Sequence, residues 1–369
     1  MIPFLSLKDQ TAALKPEMLE ALERVIDSQG FANGPAVEAF ETQLASYLGV
    51  KEVVCVNSGT TSLHAALVVT GVKPGDDVLT VAHTWISTCW AITYAGAKPV
   101  FCDIVPSTCG LDPAELAKKL TPKTRAILPV HLYGQPADMD PILAFAKEKG
   151  LPVIEDCAQS IGAKYKGKQT GSLGTVNATS FYPGKNLGAY GEGGAAMTDD
   201  RELAARMRRL RDHAQQGRHN HVEIGFNWRM DGFQGAVLSI KLARLDGWNA
   251  RRRAIADRYL AAFDGLKGVR TLPKHASCEP IWHIFPIFHD RRDDFRGALE
   301  KRGVQSGVHY PTPVHLQPAY AELGVKRGAL PFSERAAATE ISLPMFPELT
   351  DAQADDVIAA VQAVATELG

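Results

Sequence analysis

No stretch of this sequence approaches the roughly 20 consecutive apolar residues that a bilayer-spanning helix requires. Net charge is scarce as well: 40 Lys and Arg stand against 41 Asp and Glu, a formal −1 at neutral pH. No global field therefore recruits nucleic acid or an anionic membrane, and any phosphate site must be local. Met1-Ile2-Pro3-Phe4-Leu5 leads into charged, amphipathic sequence rather than the apolar core of a signal peptide, which predicts a cytoplasmic location. The six cysteines, at 55, 89, 102, 109, 157 and 278, have neither metal-ligand spacing nor the density of a disulfide scaffold. They read as reduced, mostly structural thiols, and no metal is expected. Repeats and low-complexity tracts are missing. No strand is followed by the glycine fingerprint that a dinucleotide fold uses for pyrophosphate, which weighs against a nicotinamide-dependent oxidoreductase.

The 369 residues, 45% hydrophobic and 22% charged, suffice for a large core with a smaller second unit. From about residue 50 to 200, short Val- and Ile-rich runs alternate with stretches of helical period, the pattern of buried parallel strands joined by crossover helices. The expected strands are Val53–Asn57, Asp77–Val81, Lys98–Asp103, Ala126–Val130, Val153–Asp156, Ala178–Tyr182 and Gly194–Thr198. The expected helices between them are Ser62–Val69, Ser87–Ala95, Pro113–Leu120, Met139–Lys149 and Arg201–His213, with an N-terminal helix over about Lys15–Ser28. A long linker helix, Gly235–Phe263, carries Arg251-Arg252-Arg253 and leads to mixed short elements and a closing helix, Ala352–Leu368. The expectation is an α/β protein with a large domain over 1–240 and a small C-terminal α/β domain over 241–369.

Ligands of open α/β sheets sit at the carboxyl ends of the strands, so polar residues there are read as chemistry. Asn57-Ser58-Gly59-Thr60-Thr61-Ser62 follows a strand and opens a helix, where backbone N–H groups and the helix dipole favour an anion; a plain helix N-cap uses the same residue types. Glu155-Asp156 ends an apolar strand. An acid there can stabilise a protonated pyridine nitrogen, although a helix cap or a metal ligand has the same signature. Lys185 lies in the apolar, glycine-rich loop Ser180-Phe181-Tyr182-Pro183-Gly184-Lys185-Asn186-Leu187-Gly188, and burial would bring its amine toward neutrality, as Schiff-base chemistry needs. Trp85, beside His83 and Thr84 at a strand end, can cover a flat ring or pack in the core. A phosphate cup, an acid, a lysine and an aromatic at one sheet edge describe a pyridoxal phosphate site.

Those segments, followed by Gly225-Phe226-Asn227-Trp228-Arg229-Met230-Asp231 and flanked by Phe4-Leu5-Ser6-Leu7, Gly34-Pro35 and Tyr310-Pro311-Thr312-Pro313-Val314-His315-Leu316-Gln317, resemble the DegT/DnrJ/EryC1/StrS sugar aminotransferases over nearly the whole chain. The resemblance implies the aspartate aminotransferase-like fold (fold type I of pyridoxal phosphate enzymes) and a homodimer with shared active sites. It implies that Lys185 carries the cofactor as a Schiff base, Asp156 pairs with the pyridine nitrogen, Gln159 lies on the phenolic oxygen side and Trp85 stacks on the ring. Gly59, Thr60 and Ser180 would hold the phosphate, and Asn227 would reach the phosphate of the other subunit's cofactor. The substrates implied are a nucleotide-linked keto sugar, with L-glutamate as amino donor. Gly34, Arg229, His309, Tyr310 and His315 are the candidates for contacting the sugar nucleotide, with the Arg251–Arg253 cluster as either a diphosphate contact or a solvated helix face. The segment from His309 to Pro318 looks more like members that aminate a 3-keto position than like 4-keto enzymes. The family's dehydratase branch has histidine in place of the lysine, so Lys185 favours transamination. A catalytically silent binding protein of the same fold is the remaining reading, which nothing in the sequence requires.

Overall fold

The computed structural model describes residues 1–369. In chain order, α1 (Lys8–Ser28) and α2 (Pro35–Leu48) precede β1 (Glu52–Val56), α3 (Gly59–Val69), β2 (Asp77–Val81), α4 (Ser87–Tyr94), β3 (Lys98–Cys102), α5 (Pro113–Lys119), β4 (Thr124–Leu128) and α6 (Met139–Lys149). A small hairpin, β5 (Lys164–Tyr165) and β6 (Lys168–Gln169), leads to β7 (Asn177–Ser180), β8 (Gly194–Thr198) and α7 (Arg201–Arg211). The rest comprises α8 (Gly232–Leu242), α9 (Leu245–Phe263), β9 (Arg270–Thr271), β10 (Cys278–Glu279), β11 (Phe285–Phe288), α10 (Arg292–Lys301), α11 (Pro331–Thr339), β12 (Glu340–Leu343) and α12 (Asp351–Leu368).

Strands β3, β2 and β4 pair in parallel, and β7, β8 and β1 pair antiparallel. The segment Val153–Asp156 joins the two groups through parallel bridges Ile127↔Val153, Val130↔Asp156 and Asp156↔Ala178. One continuous sheet results, ordered β3-β2-β4-(153–156)-β7-β8-β1, in which β8 alone runs against the others. The strand expected at Val153–Asp156 is thus present as isolated bridges rather than a full ladder. Pro129 and Pro152, which have no N–H, serve there only as acceptors, for Asp156 N at 2.9 Å and Ile127 N at 3.0 Å.

Helical expectations are corrected in two places. The N-terminal helix starts at Lys8, not Lys15, and runs through Pro16, whose missing N–H leaves the carbonyl of Ala12 without its helical partner. The expected helix Gly235–Phe263 is two helices, α8 and α9, parted at Ala243-Arg244. Neither residue is a breaker; tertiary contacts set the bend. Leu238 and Leu242 of α8 pack in a third apolar cluster with Val37, Phe40 and Phe181, whereas Ile255, Tyr259 and Phe263 of α9 enter the C-terminal core.

The largest apolar cluster, 45 buried residues, lies about the sheet, and a separate one of 22 fills the space between α9, α10, α12 and β11–β12. Apart from Ile2 the smaller cluster is drawn from the C-terminal segment, whose Leu272, Ile284, Phe288 and Ala336 pack instead in the larger one. Ile2 belongs to that second core and bridges Val304, so the first residues of the chain lie with the C-terminal unit. No helix is long and apolar enough to cross a membrane.

Candidate active site

The loops leaving β1, β2, the 153–156 segment and β7 converge on one cavity of about 600 Å³, closed from the other side by Phe4, His283, His309, Tyr310 and Met345. Ser58, Gly59, Thr60, Trp85, Thr88, Asp156, Gln159, Ser180 and Lys185 all line it.

At the start of α3 the two readings of the Ser-Gly-Thr segment are both realised, on different residues. Ser58 is the N-cap, its Oγ accepting from Thr61 N at 3.1 Å. Ser62 Oγ donates to Thr179 O at 2.9 Å, fastening the helix to β7. Gly59 and Thr60 are left facing the cavity beside Ser180. A Cβ on Gly59 would lie 2.5 Å from the Ser180 Cβ, so only glycine lets the helix N-terminus and the strand end approach this closely. Free N–H groups, two hydroxyls and a helix N-terminus form an anion cradle.

Glu155 and Asp156 point to opposite sides. Glu155 accepts from Leu173 N and Gly174 N at 2.7 and 2.8 Å on one oxygen, and from Gly171 N and His131 Nε2 at 3.1 and 2.8 Å on the other. His131 Nδ1 accepts from Ala137 N at 3.0 Å, so the ring hydrogen is on Nε2. Glu155 is therefore saturated and ties the 171–174 loop to the sheet; its proximity to His131 and Cys157 within 4.8 Å is a structural cluster with no ligand capacity left on the carboxylate. Asp156 instead faces the cavity. It accepts only from Thr88 Oγ1 at 2.8 Å and Ala158 N at 3.1 Å, and burial raises its pKa against the lowering effect of Thr88, Ala158, Lys185 and His131. A buried carboxylate with no ion-pair partner suits a cationic ring nitrogen.

Burial pulls the Lys185 ammonium down to about 8, opposed by the Asp156 charge, so the amine can exist in neutral form near physiological pH. The loop that carries it is pinned at two points just after the lysine. Lys241, a buried lysine of α8, donates to Gly188 O at 2.7 Å and lies 4.4 Å from the Tyr190 ring centroid. Asn186 donates to Asn249 Oδ1 at 2.8 Å and accepts from His283 Nδ1 at 3.0 Å. Gln159 accepts from Tyr133 N at 2.6 Å and donates to the Tyr310 hydroxyl at 3.2 Å. The Trp85 ring, 55% exposed, stands 5.3 Å from that of Tyr310 at 45°, forming an aromatic corner over the cavity.

Of the five residues expected to contact a sugar nucleotide, only His309 and Tyr310 line the cavity. His315 does not line this cavity: it is 2% exposed and its Nε2 meets Glu334 Oε1 of α11 at 3.1 Å. Gly34 is the N-cap of α2 with φ 79°, a backbone role that only glycine fills easily, and within this chain it lies outside the cavity. Arg229 is paired with Asp212, and Asn227 is exposed with its carbonyl accepting from Asn57 Nδ2 at 3.3 Å; neither lines the cavity of its own chain. None of the arginine cluster lines the cavity; Arg252 is buried and donates to Met345 O at 2.7 Å, and Arg251 donates to Leu349 O at 2.6 Å. Thr88, His283, Asn249 and Lys241 were not singled out from sequence. His283 had a signal, a lone polar residue in Ile281-Trp282-His283-Ile284-Phe285; the other three had none.

Hydroxyls at a helix N-terminus, an unpaired acid, a neutralisable lysine and an aromatic cover fit pyridoxal phosphate in donor set and in space. The chain is 44% identical over 361 residues, 98% of its length and 95% of the relative's, to the dTDP-3-amino-3,4,6-trideoxy-alpha-D-glucose transaminase of Streptomyces venezuelae. The solved structure of S. venezuelae DesV in complex with a ketimine intermediate superposes with a TM-score of 0.97 at 44% identity, covering 99% of this chain and 98% of that one. NtdA from Bacillus subtilis with bound cofactor PMP matches with a TM-score of 0.92 at 31% identity, covering 99% and 85%. The family model of the DegT/DnrJ/EryC1/StrS aminotransferases matches residues 12–362, and with that span, those relatives and this site the chain belongs to the DegT/DnrJ/EryC1/StrS aminotransferase family.

Proposed function

We propose that this aminotransferase moves an amino group from L-glutamate to the 3-keto position of a nucleotide-linked sugar, with pyridoxal phosphate as cofactor, in a homodimer whose sites are shared. The observation that carries the reading is the presence in one cavity of Lys185, neutralisable at about pH 8, and Asp156, buried without an ion-pair partner. A 3-amino sugar is the product named for the S. venezuelae relative, which supports C3 over C4.

The α3 N-terminus with Gly59, Thr60 and Ser180 would hold the phosphate. Asp156, oriented by Thr88, would hold a protonated ring nitrogen, Gln159 would meet the phenolic oxygen, and Trp85 would cover the ring face. When bound, the cofactor supplies an electron sink for the carbon that loses or gains a proton. Lys185 would move a proton between that carbon and the bound cofactor, off the donor in one half-reaction and onto the sugar in the other, which a lysine with pKa near working pH does in both directions. Asn227, exposed and outside its own cavity, would reach the phosphate bound by the other subunit.

The test is the absorption spectrum of protein loaded with pyridoxal phosphate, before and after L-glutamate, for wild type and Lys185→Ala. A visible band that gives way to a shorter-wavelength one in wild type, and is absent or unresponsive in the variant, supports the reading. The same glutamate response in Lys185→Ala overturns it. Nucleotide-linked 3-keto and 4-keto sugars, offered to the aminated protein, then decide the position by which one restores the original band.

A further inference from the structure

Beneath His309, on the side away from the cavity, lies a buried acid that none of the assigned roles uses. Glu340 and Ser342 are two residues apart on β12 and so share one face of the strand; both are fully buried. Glu340 Oε2 accepts from the His309 backbone N at 2.6 Å, and Ser342 Oγ lies 2.8 Å from His309 Nδ1 while donating to Glu340 Oε1. Tyr133 donates to His309 O at 2.7 Å and Phe4 stacks on the imidazole at 5.5 Å, so the ring is clamped. Nε2 has no protein partner on a ring that lines the cavity.

We propose that Glu340, Ser342 and His309 form a proton relay that joins the cavity to the core of the C-terminal unit, with His309 Nε2 as its open end. This rests on the reading that the cavity takes the sugar substrate. With Glu340 ionised, the Ser342 hydroxyl points to the carboxylate, His309 Nδ1 carries the ring hydrogen and donates to Ser342, and Nε2 is a bare acceptor. With Glu340 protonated, the acid hydrogen points to Ser342, the Ser342 hydroxyl points to Nδ1, and Nε2 carries the hydrogen and donates. A proton arriving at Nε2 is balanced by transfer of the Nδ1 hydrogen to Ser342 and of the Ser342 hydrogen to Glu340. The only net change of charge is then at the carboxylate, and the imidazole stays neutral throughout. Glu340 and Ser342 are positioning residues in this scheme, since both act through His309.

The surroundings favour that arrangement over an imidazolium. Burial and the nearby Lys185 charge hold the His309 pKa down at about 4, whereas burial pushes Glu340 up to about 8. Arg292 and Arg296 on α10 oppose the rise of Glu340 without pairing to it, being engaged with Asp293, Ala337 O and Ser306. Cys109, Tyr133 and Tyr310, which also feel Glu340, are pushed upward by burial, and His283, which faces His309, is pushed well down. Lys185 is the neighbour that titrates in the same range as Glu340.

The experiment is ¹⁵N NMR of histidine-labelled, pyridoxal-phosphate-loaded protein followed from pH 6 to 10, on wild type, Ser342→Ala and Glu340→Gln. Expected in wild type is an interchange of the two His309 nitrogens, hydrogen on Nε2 at the acid end and on Nδ1 at the alkaline end, centred near pH 8, with no imidazolium signal. In Ser342→Ala that interchange is lost. In Glu340→Gln the amide donates to Ser342 at every pH and holds the hydrogen on Nε2, so the interchange is absent although Lys185 is untouched. A single unchanging tautomer in wild type, or the same interchange in Ser342→Ala, overturns the relay. The glutamate response measured on the same samples reports on the Lys185 reading separately, so failure of one is not failure of the other.

Discussion

Glu155 and Asp156 are neighbours in sequence with opposite uses, because successive residues of an extended segment face opposite sides of the sheet. Glu155→Gln would replace an acceptor of four hydrogen bonds by a group whose amide confronts backbone N–H donors, and a loss of about 2–4 kcal/mol in denaturant unfolding is expected. Asp156→Asn should leave stability within about 1 kcal/mol while weakening pyridoxal phosphate retention, measured by dialysis and absorbance. At Gly59, an alanine methyl would press on Ser180 at 2.5 Å, so Gly59→Ala is expected to cost about 1–3 kcal/mol and to lower cofactor affinity. Glu340 carries a pH signature of its own. Its folded pKa, about 8, lies above the ordinary carboxylate value, so the native state holds the proton more tightly than the unfolded chain. Stability is then lost as pH rises from about 4.3 toward 8. Glu340→Gln removes that dependence, and its Tm relative to wild type should climb across this window. Asp156, Lys185 and Trp85 were legible as candidates in the sequence because each sits at a strand end beside glycines or apolar runs, whereas Gln159 came only from the family resemblance. Glu340 was not, since an acid at a helix-to-strand junction reads as an exposed one until its strand is placed against His309.

At the scale of elements, the Lys185 loop owes its shape to helices far along the chain. Lys241 on α8 and Asn249 on α9 hold the segment after the lysine through Gly188 O and Asn186. Lys241→Met keeps the buried stem and removes the donor, leaving the Gly188 carbonyl unpaired; a loss of about 1–3 kcal/mol is expected. Hydrogen exchange at Leu187–Tyr190 should rise in that variant, with α12 protection unchanged. Neither contact had a local signal. Periodicity located α8 and α9 as one amphipathic run but could not show the bend at Ala243-Arg244, which contains no glycine or proline and exists because two cores claim the two halves. Strand positions fared better, since buried β-branched runs mark themselves wherever they occur. The 153–156 segment differs only in its ladder, where prolines supply acceptors without donors.

For the whole molecule, Trp85 and Tyr182 line the cavity and stay exposed, and Asn227 and Gly34 lie outside it, as a shared site in a dimer would require. If the sites are shared, Lys185→Ala and Asn227→Ala proteins, each weak in the glutamate response alone, should regain it when refolded together, because half the sites of a mixed dimer then carry no substitution. No recovery would place Asn227 outside the neighbouring site. The sequence by itself determined the α/β architecture and marked the lysine, the acid and the phosphate-cup residues as candidates at one sheet edge, since each depends on local period, strand-end position or backbone permissiveness; the order of the strands in the sheet came only from the structure. Only the tertiary structure decided that Glu155 is filled and Asp156 free, that His315 and Arg252 are buried in structural bonds, and that His283, Lys241 and the Glu340–Ser342 pair surround the site. Those outcomes depend on contacts between residues far apart in the chain, and burial and hydrogen-bond partnership across such distances are properties of packing with no counterpart in local pattern.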